Sequence, residues 1–307
     1  MNELKDGAGA GRTDALLREM CLRRMPAPGD YPTPVPGFVL HRRGEPHKPE
    51  NCFNRPILAV TVQGAKRTVV GGEEYRYGAG HCLLAGVDMP NMSHITDASP
   101  ERPYLVLSLD LDSHLTARLA AGLPPARARE ALKGSAVSPT DPEVLRAFLR
   151  LMELLDRPEH IPVLAPITLR EIHLRLLLGP QGELLRALNT QGTKSNQVFQ
   201  GINWLRDNVK APLDVDALAR RLNMAPPTFR KHFKAVTGMS PGAYHKHLRL
   251  YEAQRLMLVE AADAARAAYA VGYQSPQQFN RDYKSLFGTT PGKSTRAQRS
   301  AIYEARN

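Results

Sequence analysis

One thirteen-residue pattern occurs twice in the C-terminal third of this chain. FRKHFKAVTGMSP occupies residues 229–241 and FNRDYKSLFGTTP occupies residues 279–291, so the two copies begin fifty residues apart. They share Phe, Lys, Gly and Pro at equivalent places, with an aromatic residue at the fifth place of each. The shared pattern predicts one helical unit built twice, in which a glycine ends one helix and a proline opens the next.

The residues around the first copy predict two helices joined by a turn. Asp214 can cap a short helix, whose apolar residues share one face: Val215, Leu218, Ala219 and Leu222. After a turn at Asn223, Pro226 can open the second helix, because first-turn N–H groups have no intrahelical partner. The inward positions of that helix are Phe229, Phe233 and Val236. Its outward stripe is Pro227, Arg230, Lys231 and Lys234.

The second copy repeats this plan. Its first helix is lined by Ala264, Ala267, Ala268 and Val271, and Gly272 lies in the turn. The inward positions of its second helix are Phe279, Tyr283 and Leu286. The outward stripe is Gln277, Asn280, Arg281 and Lys284, and Gly288 ends the helix. Each copy is therefore expected to form a helix-turn-helix unit.

The chemistry of the two outward stripes favours DNA as the partner. Arginine can pair with guanine in the major groove, and glutamine or asparagine can pair with adenine. Residues 197–307 hold 17 Lys/Arg and 8 Asp/Glu, net +9, whereas residues 1–196 hold 24 and 22, net +2. If the pattern occurred once, an amphipathic helical hairpin with a solvated basic face would explain it as well as DNA binding does. Two matched copies and the local charge surplus favour DNA binding.

The segment between the copies suggests why the chain contains two helix-turn-helix units. PGAYHKHLRLYEAQRLML predicts one helix of 18 residues, about 27 Å long at 1.5 Å per residue. Successive major-groove faces lie about 34 Å apart. One chain could therefore read two adjacent turns of DNA without dimerising.

The N-terminal half predicts β structure followed by helices. Residues 38–111 contain short β-prone runs, and Gly71-Gly72 is a hairpin signal. We expect a small antiparallel barrel or jelly roll there. Helices are expected over residues 141–156, capped by Asp141, and over 167–189, interrupted at Gly179-Pro180. The chain start predicts a flexible tail and a short helix capped by Thr13 or Asp14, followed by a proline-rich break. Residues 191–197 are polar and are predicted to be a flexible linker.

Cysteine and histidine usage bears on redox and metal chemistry. Three cysteines, Cys21, Cys52 and Cys82, without CxxC spacing fit a reducing compartment and argue against structural zinc. A redox switch between Cys52 and Cys82 stays open as the less favoured alternative to buried thiols. His81 and His94 stand alone, so no metal site and no cofactor is expected. No apolar run is long enough to cross a bilayer, and no signal peptide is apparent, so we expect a cytoplasmic protein without membrane contact.

Residues 199–296 closely resemble the AraC/XylS family of bacterial transcription regulators. The resemblance is carried by LDVDALARRLNMAPPTFRKHFKAVTGMSP, YHKHLRLYEAQRLM and AARAAYAVGYQSPQQFNRDYKSLFGTTP. It implies base-reading positions at Pro227, Arg230 and Lys231 in one recognition helix, and at Gln277, Gln278 and Arg281 in the other. Pro227 stands where the family commonly has a polar or aromatic residue. Asp282 is an acid on a DNA-facing helix and is expected to face away from the phosphates.

Residues 50–112 look like the cupin-type sensor domain of one branch of that family. The resemblance implies an α+β protein of two domains, a small cupin-like antiparallel β-barrel with helices and then an all-α domain with two helix-turn-helix motifs. The expected boundaries are 1–34 for the tail and short helix, 35–112 for the barrel, 113–192 for dimerising helices and 193–307 for the DNA-binding domain.

The function expected from these features is sequence-specific regulation of transcription, as an activator, by a homodimer that is not an enzyme. The implied partners are double-stranded DNA, RNA polymerase and a small effector of unknown identity, bound by unknown barrel residues. The expected DNA-binding residues are Pro227, Thr228, Arg230, Lys231, Lys234, Gln277, Gln278, Asn280, Arg281 and Lys284. The alternative is a cupin-type metal enzyme fused to a DNA-binding module.

Overall fold

A computed structural model describes residues 3–126 and 132–296 of the chain. Helix α1 spans Glu3–Arg24 and precedes the strands of the N-terminal half. These strands are β1 (Gly29–Pro32), β2 (Phe38–Arg43), β3 (Glu50–Asn54), β4 (Ile57–Gln63), β5 (Ala65–Val70), β6 (Glu73–Gly78), β7 (His81–Ala85), β8 (Met89–Asp97), β9 (Tyr104–Asp110) and β10 (Ser135–Pro139).

The strands form two antiparallel sheets that enclose a barrel-like space. One sheet has the order β1-β2-β9-β4-β7-β10 and is called sheet A here; the other, sheet B, has the order β3-β8-β5-β6. Gly71 and Gly72 join β5 to β6, and both have positive φ angles, 61° and 81°, which a two-residue hairpin turn of this kind requires. The predicted antiparallel barrel and the hairpin at these glycines are confirmed.

Helices cover the outer face of sheet A. They are α2 (Ser113–Ala121), α3 (Pro142–Leu154), α4 (Ile161–Leu178) and α5 (Gly182–Asn189). Leu58, Leu84 and Leu107, on neighbouring strands of sheet A, are fully buried. The rings of Phe38 on β2 and Phe148 on α3 lie 5.7 Å apart. The apolar faces predicted for the helices thus cover one side of the sheet, leaving its other side for the barrel interior.

Three expectations for the N-terminal half are wrong. Helix α1 runs through the segment expected to be a flexible tail, so neither Thr13 nor Asp14 is its N-cap. The proline-rich segment contributes β1, which pairs with β2 through Gly29↔Arg42 to Pro32↔Val39; proline is tolerated there because β1 is an edge strand. The segment expected to be helical contributes β10, which pairs with β7.

The predicted linker is also wrong. The C-terminal helices begin with α6 (Lys194–Asp207), which starts inside residues 191–197. Thr193 caps α6 by accepting from the backbone N–H of Asn196. The Asn196 amide donates to Leu188 O at 2.7 Å, and Leu132 N donates to Ser195 Oγ at 3.0 Å. The polar residues that favoured a linker instead form buried hydrogen bonds between the two halves.

The C-terminal helices follow the predicted double plan. After α6 come α7 (Val215–Arg221), α8 (Pro226–Thr237), α9 (Pro241–Val259), α10 (Ala264–Ala270) and α11 (Pro276–Phe287). The first unit and the N-terminal half share one continuous hydrophobic core. The first unit and α9 contribute Phe229, Phe233 and Tyr244 to it. The second unit has a core of its own around Phe279 and Tyr283. Among the described helices, none combines the length and hydrophobicity that crossing a bilayer requires.

Backbone groups and side chains both make contacts between the barrel and the first helical unit. Gly134 N donates to Val236 O at 2.8 Å, and the Tyr244 hydroxyl donates to Asp88 O at 2.8 Å. The Asp88 carboxylate, 3 % exposed, pairs with Arg206 at 3.0 Å. Burial raises the pKa of Asp88 even though Arg206 opposes the shift. This interface could not be predicted from local sequence patterns, because its partners lie more than a hundred residues apart.

Candidate nucleic-acid interface

The first helix-turn-helix unit is built from α7 and α8. Asp214 caps α7 by accepting from the N–H groups of Asp216 and Ala217. Asn223 turns the chain with a φ angle of 55°, a conformation that asparagine adopts more readily than most residues. Helix α8 ends at Gly238, whose φ angle of 77° is left-handed. The predicted caps at Asp214 and Gly238 are therefore present.

The polar stripe of α8 faces solvent along its length. Phe229 and Phe233 are fully buried on the opposite face. The exposed candidates are Pro227, Arg230, Lys231 and Lys234, and Thr228 is half-buried. Arg230 donates to the Asp216 carboxylate of α7 at 2.5 Å. An exposed pair of this kind contributes at most about 1 kcal/mol, so DNA phosphates or bases could displace it.

The second unit repeats the geometry with α10 and α11. Asp263 caps α10 and Ser275 caps α11. Gly272 occupies the turn with a φ angle of 87°, and a Cβ there would lie 2.3 Å from Lys210 O. Glycine is required at this turn for both reasons. Gly288 ends α11 in the left-handed region at φ 72°.

The candidates on α11 are all exposed: Gln277, Gln278, Asn280, Arg281 and Lys284. Arg281 donates to Gln278 Oε1 at 2.7 Å, and Gln278 donates to Asp282 at 3.1 Å. Asp282 also accepts from the Tyr273 hydroxyl at 3.2 Å. Burial and the neighbouring Asp282 raise the pKa of Tyr273. Asp282 therefore lies between Gln278 of the exposed stripe, Tyr273 beside the turn and Lys246 of α9, whose ammonium is 3.9 Å away. That it faces away from the phosphates stays a prediction.

Helix α9 joins the two units and packs against both. It spans 19 residues, Pro241–Val259, which corresponds to about 28 Å. Tyr244 near its start contacts Phe233 of the first unit with ring centroids 5.3 Å apart. The Gln254 amide in its second half donates to the Tyr283 hydroxyl of the second unit at 3.3 Å. One rigid element thus spaces two similar recognition helices.

A second candidate site is a cavity of about 240 Å³ inside the barrel. Strands β4 and β9 contribute Ile57, Ala59, Tyr104, Val106 and Ser108 to its lining. Lys66 of sheet B faces the same cavity. The inner face of the barrel is therefore partly apolar and partly polar.

Metal and thiol chemistry find little support in the described residues. No group of three or more His, Cys, Asp or Glu side chains among them is arranged to hold a metal ion. Cys52 lines the cavity from sheet B, whereas Cys82 faces Val144 and Leu176 outside sheet A, so the two thiols lie on different faces of different sheets. Burial raises the pKa of both Cys52 and Cys82, which disfavours the reactive thiolate at neutral pH.

Two family models match this chain. Residues 34–184 match the N-terminus of AraC-type transcriptional regulators, and residues 218–297 match a helix-turn-helix domain. The first range contains the barrel from β2 onward with helices α2 to α4. The second contains most of both helix-turn-helix units, including every candidate DNA-binding residue.

Curated relatives agree with these matches. The transcriptional regulator ExsA of Pseudomonas aeruginosa is 30 % identical over 148 residues, which is 47 % of this chain and 51 % of that protein. The virulence regulon activator VirF of Yersinia enterocolitica is 28 % identical over 153 residues, 50 % of this chain and 56 % of that protein. The chain thus spans about half the length of these relatives. The MmsAB operon regulatory protein of Pseudomonas aeruginosa is 27 % identical over 85 % of this chain and 81 % of its own length.

Solved structures support the same fold. The crystal structure of ToxT K231A from Vibrio cholerae covers 86 % of this chain and 98 % of its own, with a TM-score of 0.59 at 11 % identity. At that identity the likeness concerns the fold alone. The three relatives are named as regulators or activators. Both family models, the relatives and the duplicated helix-turn-helix geometry agree that the chain belongs to the AraC family of transcriptional regulators.

Proposed function

We propose that this protein is a sequence-specific DNA-binding regulator of transcription, acting in the cytoplasm as an activator. The observation that carries the proposal is the pair of exposed polar stripes on α8 and α11, held at equivalent places of two similar units. The contact residues are Pro227, Thr228, Arg230, Lys231 and Lys234 in α8, and Gln277, Gln278, Asn280, Arg281 and Lys284 in α11. Activation implies RNA polymerase as a further partner.

The spacing of the units supports reading of two successive major-groove faces by one chain. Helix α9 supplies about 28 Å of separation, against about 34 Å between adjacent faces. The widths of the two helical units can supply the remaining distance. Each protomer should therefore cover roughly two turns of DNA.

The test is a footprint of the full-length protein on sites selected from random DNA. We expect protection over roughly two helical turns per protomer, with two patches on one side of the duplex. The double variant Arg230→Ala with Arg281→Ala should no longer prefer the selected DNA sequence, but it should retain weak, salt-dependent binding to any duplex. Protection of a single major-groove turn would contradict the proposal. So would a selection that enriches no DNA sequence from the random pool.

We further propose that the barrel binds a small effector whose presence is communicated through β3. Alternate residues of this strand face opposite ways, as in any strand. Glu50, Cys52 and Asn54 line the cavity. Phe53 faces the helical domain, with its ring 6.2 Å from Tyr244 and 5.1 Å from Tyr251. A ligand that moves β3 would therefore move the contacts of α9. ToxT, whose fold this chain shares, has been solved with an unsaturated fatty acid bound.

Homodimerisation is proposed through the helices that cover sheet A. Helix α4 exposes apolar side chains along one side: Val163, Leu164, Ile167 and Leu178, with exposed fractions of 68, 43, 63 and 61 %. Large exposed apolar patches mark interaction surfaces, and a second copy is the occupant expected here, in line with the dimerising role the family resemblance implies for this segment.

Ile167→Lys is expected to weaken the dimer at least tenfold, because it would place a charge in that apolar surface. Val259→Lys is a matched control, since Val259 is also an exposed apolar residue, 73 % exposed, but lies at the end of α9. Sedimentation of the three full-length proteins over a concentration series measures the effect. A monomeric parent, or equal dissociation constants for all three, would disprove this interface.

A further inference from the structure

The barrel cavity is lined by an apolar patch and by polar side chains. The apolar patch is Ile57, Ala59, Leu83 and Val106 of sheet A, which also contributes His41, Tyr104 and Ser108. Sheet B forms the polar wall with the side chains of Lys66, Asn91 and Ser93, and also contributes Ile95. Lys66 pairs across the sheet with Tyr77 on β6 and Ile95 on β8, so Tyr77 shares the inward face of sheet B. A molecule that fills this space can contact hydrocarbon and hydrogen-bonding groups at once.

Two hydrogen-bonding groups on the inward face of sheet B have no partner within the described chain. They are Thr68 Oγ1 and Asn91 Nδ2, whereas the Tyr77 and Tyr104 hydroxyls lie within hydrogen-bonding reach of Lys66. Thr68 is fully buried and Asn91 is 6 % exposed. Buried polar groups are hydrogen-bonded in the great majority of proteins. Both groups can donate, so the missing partner is a group with acceptors.

The charges around the cavity leave one cation without a counterion. Arg43 donates to Asp30 at 2.7 Å, and His41 also contacts Asp30, at 2.6 Å. Within the described chain, no carboxylate lies within ion-pair distance of Lys66. Its ammonium lies 5.6 Å from the ring centroid of Tyr77. Glu50 also lines the cavity, but at the exposed end of β3.

The Lys66 side chain is half-buried, with its ammonium beside the phenols of Tyr77 and Tyr104. Burial acts to lower the pKa of Lys66, whereas its hydrogen bond with the Tyr77 hydroxyl acts to raise it. Charged groups that are withdrawn from water are normally paired. An anionic ligand would supply the missing counterion.

We propose that this cavity binds a small carboxylate with an apolar body. The carboxylate pairs with Lys66 and accepts hydrogen bonds from the unpartnered donors beside it, and the apolar body lies against Ile57, Leu83 and Val106. The cavity volume of about 240 Å³ falls below the roughly 300–1,000 Å³ of sites for drug-sized ligands. A cavity of this size fits a short-chain or single-ring acid better than a long-chain fatty acid. The role of this acid as the effector rests on the proposed function.

The experiment measures ligand binding and DNA binding separately on the full-length protein. Hexanoate and benzoate are titrated by calorimetry and by thermal shift, beside hexanamide, benzamide and oleate. We expect both short acids to bind and to raise the melting temperature. The amides, which have the same shape without the charge, should bind at least tenfold more weakly, and oleate should not compete with benzoate.

Lys66 variants assign the binding to this cavity. Lys66→Met keeps the length of the side chain without its charge and should weaken benzoate at least tenfold, whereas Lys66→Arg should stay within a few-fold of the parent. Lys48→Met is the matched control, because Lys48 is exposed in the same half of the chain, and it should bind as the parent does. Thr68→Val tests the polar wall independently and should weaken benzoate by a smaller factor, in case Lys66→Met fails to fold.

The outcomes separate the cavity from the regulator. Three results would overturn the carboxylate proposal. The acids and the amides could bind equally well, or both Lys66→Met and Thr68→Val could bind benzoate as tightly as the parent does. Protein that still recognises DNA could also bind neither short acid. Acid binding that depends on Lys66, in protein that selects no DNA sequence, would support the cavity and contradict the proposed function.

Discussion

Gly238→Ala is expected to open the interface between the barrel and the DNA-binding domain, whereas Gly288→Ala is expected to leave it closed. The two glycines are counterparts in the two repeats, and both end a recognition helix in the left-handed region, at φ 77° and 72°. Alanine there costs each helix roughly 1–2 kcal/mol of backbone strain. A Cβ on Gly238 would lie 2.2 Å from the carbonyl carbon of Gly71, and a Cβ on Gly288 meets nothing within 4 Å.

The difference between the two variants measures the barrel contact. Crowding a packed site costs about 1–3 kcal/mol, so Gly238→Ala should lower the free energy of unfolding by about 2–5 kcal/mol in total. Gly288→Ala should lower it by about 1–2 kcal/mol. Urea unfolding of the full-length proteins gives these values, and small-angle scattering reports the separation as a larger radius of gyration. If both variants lose the same free energy of unfolding and the radius of gyration does not change, the hairpin at Gly71 moves aside and the domains stay together.

Such a contact connects the barrel directly to the first recognition helix. Val236, in the last turn of α8, accepts a hydrogen bond from Gly134 of the N-terminal half, and Gly238 lies against Gly71. The second unit meets the barrel through fewer groups, among them the Asn51 amide, which donates to Leu286 O. The two repeats are therefore alike in sequence but not in surroundings. Any change in the barrel would reach α8 by a shorter route than α11.

Local sequence patterns predicted most of the helical domain. The cap at Asp214, the left-handed glycines at 238 and 288, and apolar residues at helical spacing each act within a few residues of chain. The same holds for the hairpin at Gly71-Gly72. These features depend on backbone geometry and local hydrogen bonds, so a sequence read in short windows reveals them.

Predictions failed where distant contacts decide the structure. Residues 191–197 have the composition of a linker, yet Ser195 and Asn196 are buried by partners at Leu132 and Leu188. Strand β1 forms in a proline-rich segment because β2 offers an edge to pair with. The cavity residue Lys66 could not be singled out either, since its lack of a counterion is visible only when sheet A closes over sheet B. No short window of sequence contains these partners.

The specificity of the DNA interface is expected to depend more on α11 than on α8. Arg230 of α8 is held by the Asp216 carboxylate, so reading a base would require that pair to break. Within residues 3–126 and 132–296, Arg281 of α11 is held by the neutral amide oxygen of Gln278 and by no carboxylate. Gln278 is anchored in turn to Asp282. The Arg281 guanidinium is thus oriented by a neighbour without being neutralised by it.

Arg281→Ala should cost about 1–3 kcal/mol at the specific site and little on random DNA, because its planar fork suits the two acceptors of guanine. Lys284 lies nearly one turn further along the same exposed stripe and is a point charge suited to phosphate. Lys284→Ala should weaken specific and random binding about equally and lower the salt slope by about one unit. Affinities for selected and random duplexes across a salt series measure both effects.

Arg281→Lys separates charge from geometry in the same experiment. Lysine keeps the positive charge but lacks the fork, so this variant should lose discrimination as Arg281→Ala does while keeping most of its affinity for random DNA. If Arg281→Ala leaves the ratio of specific to random affinity unchanged, α11 acts as an electrostatic clamp. The sequence preference would then have to come from α8, where Arg230 must leave Asp216 before it can contact a base.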